Sequence, residues 1–216
     1  MVVLRLAVGW LSAEPTTEPR ERKGESRVTS ESSTPNNRLD VRLPPRHIAN
    51  NQFGPMRIYI ESTIPSYVVA RPARDLLQAA RQQLTRDWWD LQREKHELFT
   101  SQVVLDEIAF GEKAMAQLRL ETLQAVPLLQ VTGDVKDLAR KVLTSGLLPA
   151  TSDRDATHIA LASAYEMELL LSWNCRHIAN AAIQARLRRL VEAAGFTLPV
   201  ICTPEELLEN DHEQND

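Results

Sequence analysis

The stretch PATSDRDATHIALASAYEMELLLSWNCRHIAN, residues 149–180, decides how this chain is read. It opens on a turn signal, continues as a helix, and passes through a short apolar run into a polar loop. Asp153 stands where a helix N-cap is expected. Asp155 falls in the first helical turn, where the positive end of the helix dipole stabilises a carboxylate. Ala156, Ile159, Ala160 and Ser163 recur at the three- and four-residue steps of a helix face built from small, close-packing residues. Leu169, Leu170 and Leu171 then form an apolar run closed by Ser172, Trp173 and Asn174. A strand covered on both faces has this composition, although length and periodicity alone leave a buried helix segment open. Asn174 and Arg176 follow the run directly. In an open parallel sheet, ligands bind in the crevice beyond the carboxyl ends of the strands.

Downstream, residues 179–194 predict a helix closed by Gly195, residues 198–202 a strand, and Thr203-Pro204-Glu205-Glu206 a capped helical turn. Upstream, Ile58 and Ile60 alternate with Arg57 and Tyr59 as in a strand, with Glu61 at its end and Pro65 stopping it. Ser66 to Ala70 predict a short helix broken by Pro72. Residues 73–95 predict the longest helix, with Leu76, Leu77, Ala80, Leu84, Trp88 and Leu91 as its inward stripe. Arg74, Arg81, Arg86, Arg93 and Lys95 form its solvated face, or a rim for a phosphate backbone, and Trp88 and Trp89 are packing residues. Residues 97–101 predict a second strand and 102–111 a helix with Val103, Val104 and Ile108 inward. Asp106 and Glu107 lie about 100° apart on that helix, so only one of them faces the cleft. A helix over 112–124, a strand over 128–131 and a helix over 134–143 complete the series. Strands alternating with helices predict a three-layer α/β/α sandwich around a mostly parallel sheet of about five strands.

A chain of 216 residues is large enough for one domain with a substantial core. Its organisation is uneven. Residues 13–55 are rich in Ser, Thr, Pro, Asn, Glu and Arg with little periodic hydrophobicity, so residues 1–55 read as a disordered or spurious N-terminal extension. The opening MVVLRLAVGWLSAEP has the short apolar run of an export signal but a weak basic start, and is assigned to that extension. The folded unit is expected over 56–208, with a polar tail over 209–216. Two cysteines, Cys175 and Cys202, match no zinc spacing and no disulfide framework, which predicts a reducing, cytoplasmic setting, and Cys175 reads as a buried thiol rather than a nucleophile. No apolar run reaches the roughly 20 residues of a membrane helix. The first 55 residues carry eight Lys/Arg against six Asp/Glu, and the remainder 17 against 23. An acidic body does not advertise nucleic-acid binding, but it suits a site that gathers carboxylates around a cation.

Such a sheet brings strand ends to one edge. Glu61 ends the first strand, Glu107 lies on the helix after the second, Asp155 opens the helix before the fourth, and Asn174 follows the fourth. Converging carboxylates repel, and a divalent cation removes the repulsion. Oxygen ligands without a Cys/His cluster point to Mg2+ or Mn2+, and such a cation activates water and neutralises a phosphodiester. His158 reads as a packing residue, and His177 and Arg176 lie near the expected cleft. Arg186, Arg188 and Arg189 form a solvated helix face, or a contact for RNA or a partner.

Five stretches, IYIESTIPSY, VVLDEIAFGE, SDRDATHIALA, LLLSWNCRHIANA and ICTPEELL, in this order across residues 56–208, resemble a PIN domain of the VapC-like toxin group. The resemblance implies a Mg2+- or Mn2+-dependent endoribonuclease. It also implies a homodimer, the toxin of a type II toxin-antitoxin pair, and a small antitoxin protein as partner. Carried over by position, Glu61, Glu107 and Asp155 match the catalytic and metal-holding acids. Ser62 matches a hydroxyl beside the first acid, and Arg176 becomes a candidate phosphate or RNA contact. Asn174 stands where many such domains keep another Asp, which removes one charge. Asp153 is the candidate replacement for it. That departure keeps an alternative open: a weakly active or inactive scaffold that binds RNA or a partner protein.

Overall fold

The computed structural model describes residues 54–208. The expectations for residues 1–53 and for the tail 209–216 lie outside the described residues. Five strands form one sheet: β1 (Arg57–Ile60), β2 (Glu97–Ser101), β3 (Leu128–Leu129), β4 (Leu169–Leu171) and β5 (Val200–Cys202). Their order is β3-β2-β1-β4-β5, and every pairing is parallel. Seven helices connect them among the described residues: α1 (Thr63–Val69), α2 (Leu76–Leu91), α3 (Gln102–Ile108), α4 (Lys113–Thr122), α5 (Gly133–Thr144), α6 (Asp153–Ala164) and α7 (Ala181–Ala193).

The strand order determines the layers. From β1 the chain steps outward to β2 and β3, then crosses back over β1 to β4 and β5. Right-handed crossovers put the helices of the first excursion on one face and those of the second on the other. The packing agrees: α1 rests on α2 and α4, while α5 rests on α6 and α7. The expected α/β sandwich with a parallel sheet is therefore the fold. The direction of winding reverses between β1 and β4, which pair with Ile58 opposite Leu169, Tyr59 opposite Leu170 and Ile60 opposite Leu171. A crevice opens at such a reversal.

The core is densest at this pair. Ile58, Tyr59, Ile60, Leu170 and Leu171 are all fully buried, each apolar side chain contributing roughly 1.5–3 kcal/mol. The alternation read in β1 therefore does not mark a solvent face, since both faces carry helices and Tyr59 is as buried as its neighbours. In α6, every residue from His158 to Ser163 is buried, so this helix is covered almost all round.

Several element limits differ from expectation. Helix α1 starts at Thr63 rather than Ser66, because Pro65 falls within its first turn, where a missing N–H costs nothing. Helix α2 runs from Leu76 to Leu91, with the Asp75 side chain accepting from Gln78 N at 2.8 Å as its cap. Its expected stripe is largely outside, with Leu76, Leu77 and Leu91 exposed. The buried face is Gln82, Thr85, Trp88 and Trp89. Two of these are polar and satisfied: Gln82 Oε1 accepts from Ala73 N at 3.0 Å and Thr85 Oγ1 from Trp173 Nε1 at 2.7 Å. A hydrophobicity pattern cannot register buried polar groups that find partners in distant segments. Strands β3 and β5 are shorter than read, since edge strands pair on one side only. Ser152, not Asp153, holds the N-cap position of α6. Cys175 is exposed, contrary to expectation. Cys202 is buried, and that burial, with Glu206 nearby, pushes its thiol up to about 12.

Candidate active site at the strand switch point

Glu61 is the first residue past β1, so it lies at the reversal of the sheet, and its N–H donates to Leu171 O at 3.4 Å. The backbone turns there into α1, which wraps donors around the side chain. Thr63 N donates to Glu61 Oε2 at 3.0 Å, Ser62 Oγ donates to the same oxygen at 3.3 Å, and Thr63 Oγ1 donates to Oε1. The residue is only 2% exposed. Burial pushes its carboxyl up from the ordinary value, against the charge of His158 and the donors of Thr63 and Ser172. An ionised Glu61 therefore gains from any positive charge placed beside it.

Glu107 comes from α3, whose start is capped by Ser101 Oγ accepting from Val104 N at 3.5 Å. Of the neighbouring acids, Glu107 turns inward, while Asp106 is exposed and accepts from Gln102 Nε2 at 2.8 Å. His158 Nε2 lies 3.0 Å from Glu107 Oε2, and because a carboxylate only accepts, that nitrogen carries the proton. Arg154 Nη1 stands 3.8 Å from Glu107 Oε1. Burial opposes ionisation of Glu107. The hydrogen bond and charge of His158, with Ser62 and Arg154, outweigh it and hold the carboxyl below its ordinary value.

His158 is 1% exposed, and its other nitrogen, Nδ1, lies 2.9 Å from Tyr59 Oη, which in turn lies 2.8 Å from Ser101 Oγ. A buried hydrogen-bonded row thus links β2, β1, α6 and α3. Within it, burial pushes the Tyr59 hydroxyl far above its ordinary value, and Glu61 and Glu107 add to the effect.

Asp155, near the start of α6, has different partners. Asn174 Nδ2 donates to Asp155 Oδ1 at 2.9 Å, and His177 Nδ1 donates to Oδ2 at 2.7 Å, with Ser152 Oγ 3.3 Å from the same ring nitrogen. Asn174 Oδ1 accepts from His177 N at 3.2 Å, and Asn174 N donates to Ser172 Oγ at 2.8 Å. Ser172 also acts on Glu61, and Trp173 N donates to Thr63 Oγ1 at 2.9 Å. The loop after β4 is therefore joined to the turn after β1.

The structure thus gathers Glu61, Ser62 and Glu107 directly, and reaches Asp155 and Asn174 through Ser172. Asp153 is exposed on the first turn of α6 and Arg176 is exposed in the loop after β4; neither side chain bonds to this cluster. Among the described residues, no three His, Cys, Asp or Glu side chains stand together as a cation cage. By type, however, the donors of Glu61, Glu107, Asp155 and Asn174 are oxygens, the kind a hard divalent cation takes. The packing residue His158 holds Glu107, Tyr59 supports it, and Thr63, Ser172 and His177 join the two strand ends. Sequence spacing carried no signal for Thr63 or Ser172. The alternation in β1 pointed Tyr59 the wrong way.

No protein-family model matches the sequence, and no curated protein sequence matches it. Among solved structures, a crystal structure of VapBC2 from Rickettsia felis bound to a DNA fragment from its promoter aligns with a TM-score of 0.45 and 13% identity. The alignment covers 68% of this chain and 98% of that one. A likeness of this size supports no inference about function. No helix among the described residues is long and apolar enough to cross a membrane.

Proposed function

We propose that the protein is a metal-dependent endoribonuclease that hydrolyses RNA phosphodiester bonds, acting as the toxin of a type II toxin-antitoxin pair. The observation that carries the reading is that Ser62 donates to Glu61 and also acts on Glu107, while Asp155 bonds to Asn174, whose N–H meets the Ser172 hydroxyl that acts on Glu61, all at the sheet's reversal. Mg2+ or Mn2+ would draw on the carboxylates of Glu61, Glu107 and Asp155, which do not stand together as a cage among the described residues, and on the amide oxygen of Asn174, which here accepts from His177 N. When bound, it supplies Lewis-acid stabilisation of the phosphodiester and a more acidic water. The chain's own residues set the charge of the site. Ser62 and Thr63 direct their donors onto Glu61, His158 keeps Glu107 ionised, and His177 with Asn174 orients Asp155. An antitoxin and a homodimer follow from the sequence resemblance, a cytoplasmic setting follows from the cysteine usage, and all three belong to the same proposal.

A second reading, a weakly active or inactive scaffold that binds RNA or a partner protein, is favoured by one observation. Asn174 turns its Nδ2 rather than its Oδ1 to Asp155, and both Glu107 and Asp155 already hold a histidine. Single-turnover cleavage of RNA with Mn2+ separates the two. The nuclease reading expects Asp155→Asn and Glu107→Gln each to lose about a hundredfold or more, the scale of removing one transition-state stabilising group. Equal traces of cleavage in all three proteins would favour the scaffold.

A further inference from the structure

Phe110 lies just beyond α3, the helix that carries Glu107, and the residue is 70% exposed. A single exposed ring is ordinary, but it binds at less ordering cost when the backbone beneath it is held still. Here it is held. Arg119 Nε donates to Ile108 O at 2.9 Å and Arg119 Nη2 to Phe110 O at 2.5 Å, while Gly111 turns the chain at φ +99°. A residue with a Cβ would be strained at that angle, so glycine makes the turn possible. The ring also has a specific neighbour. The Arg154 guanidinium carbon lies 5.9 Å from the ring centroid, and the same guanidinium reaches Glu107 at 3.8 Å. Arg154 is about half exposed, so much of its donor fork faces solvent.

We propose that Phe110 and Arg154 form a subsite for one nucleotide of single-stranded RNA, flanking the acidic cluster. The base stacks on the open face of the ring and its phosphate meets the guanidinium. The assignment rests on the nuclease reading of the adjoining acids and deepens it. Three observations favour a nucleotide over a protein partner. After the ring the chain continues as Gly111, Glu112 and Lys113, all exposed and none with a large apolar side chain, so no apolar run of sequence extends from it. A cation is coupled to it, as a base with its phosphate requires. Arg154 sets a positive charge beside the acids, where RNA approaching an acidic body needs one. The pinned turn removes the ordering cost that a mobile ring would impose on binding.

The test uses the full chain and a fluorescein-labelled single-stranded oligoribonucleotide of mixed sequence, with anisotropy read in EDTA so that binding is seen without cleavage. Phe110→Ala and Phe110→Leu are expected to weaken binding about tenfold, a change of about 1.4 kcal/mol, and Phe110→Trp to restore it. Arg154→Gln is expected to weaken binding and flatten its salt dependence. With Mn2+ present, Phe110→Ala raises KM by more than it lowers kcat. Because the ring is exposed, all three Phe110 variants keep the wild-type melting temperature. Wild-type binding by Phe110→Ala, or full binding by Phe110→Leu, overturns the subsite even if RNA is cleaved. A change in elution volume with RNA binding intact overturns it too, and makes the ring a protein contact. Ring-dependent binding without any cleavage keeps the subsite and discards the nuclease reading. No RNA binding by wild type discards both.

Discussion

Glu61→Gln should make this protein more stable and less active. Glu61 is 2% exposed and its carboxyl is pushed up by burial. The folded state therefore holds the proton more tightly than the unfolded chain does. Such a group contributes stability that is full below the ordinary carboxylate value and is lost as pH rises through the raised folded-state value. Near neutral pH the ionised form opposes folding, and an amide of the same size does not. Glutamine keeps an acceptor for Thr63 N–H, and the Ser62 and Thr63 hydroxyls can rotate to accept from its NH2. The expected gain is about 1–2 kcal/mol, the scale of relieving a functional site of its strain. For a domain of this size that corresponds to roughly 2–8 °C in Tm. The assay is thermal unfolding by circular dichroism in the absence of divalent ions, at about pH 8 and about pH 4. The wild type and the variant should differ at the higher pH and converge at the lower. A variant less stable than wild type at the higher pH, or a gap that does not change with pH, would refute the reasoning.

Glu107→Gln should behave in the opposite sense. Its carboxyl is held below the ordinary value, so its stabilising effect is present above that value and lost as pH falls through the folded one. Denaturant unfolding should show a loss of about 1 kcal/mol near neutral pH that disappears in acid. His158→Ala leaves Tyr59 and Glu107 without their shared partner and opens a buried cavity. Urea titration should register a loss of roughly 2–4 kcal/mol. Ser163 is fully buried, and its hydroxyl has no hydrogen-bond partner among the described residues. Ser163→Ala should therefore stabilise by about 1 kcal/mol, read as a higher midpoint with an unchanged m-value.

Those residues also mark where sequence reading succeeds. Strand and helix order was legible because buried strands such as Leu169–Leu171 are continuously apolar and because Gly195 and the Thr203–Glu206 capping box punctuate the chain locally. Glu61 at a strand end followed from the strand pattern, whereas helix geometry said only that one of Asp106 and Glu107 turns inward; the family resemblance selected Glu107, which is the inward one. The partners of the acids did not. Tyr59, His158 and Ser101 meet across 99 and 42 residues of sequence, and their hydrogen bonds replace the apolar contacts that a pattern would reveal. The inward face of α2 was misread for the same reason: Gln82 and Thr85 are buried because Ala73 and Trp173 satisfy them.

The claim that matters most is that acids from separate elements work as one site. A double-mutant cycle on RNA cleavage with Mn2+ tests it, using wild type, Glu107→Gln, Asp155→Asn and the double variant. Groups acting as a unit give grossly non-additive losses. The account predicts a double variant no slower than about the worse single variant. Losses that multiply in the double variant would show the two acids acting independently and would contradict it.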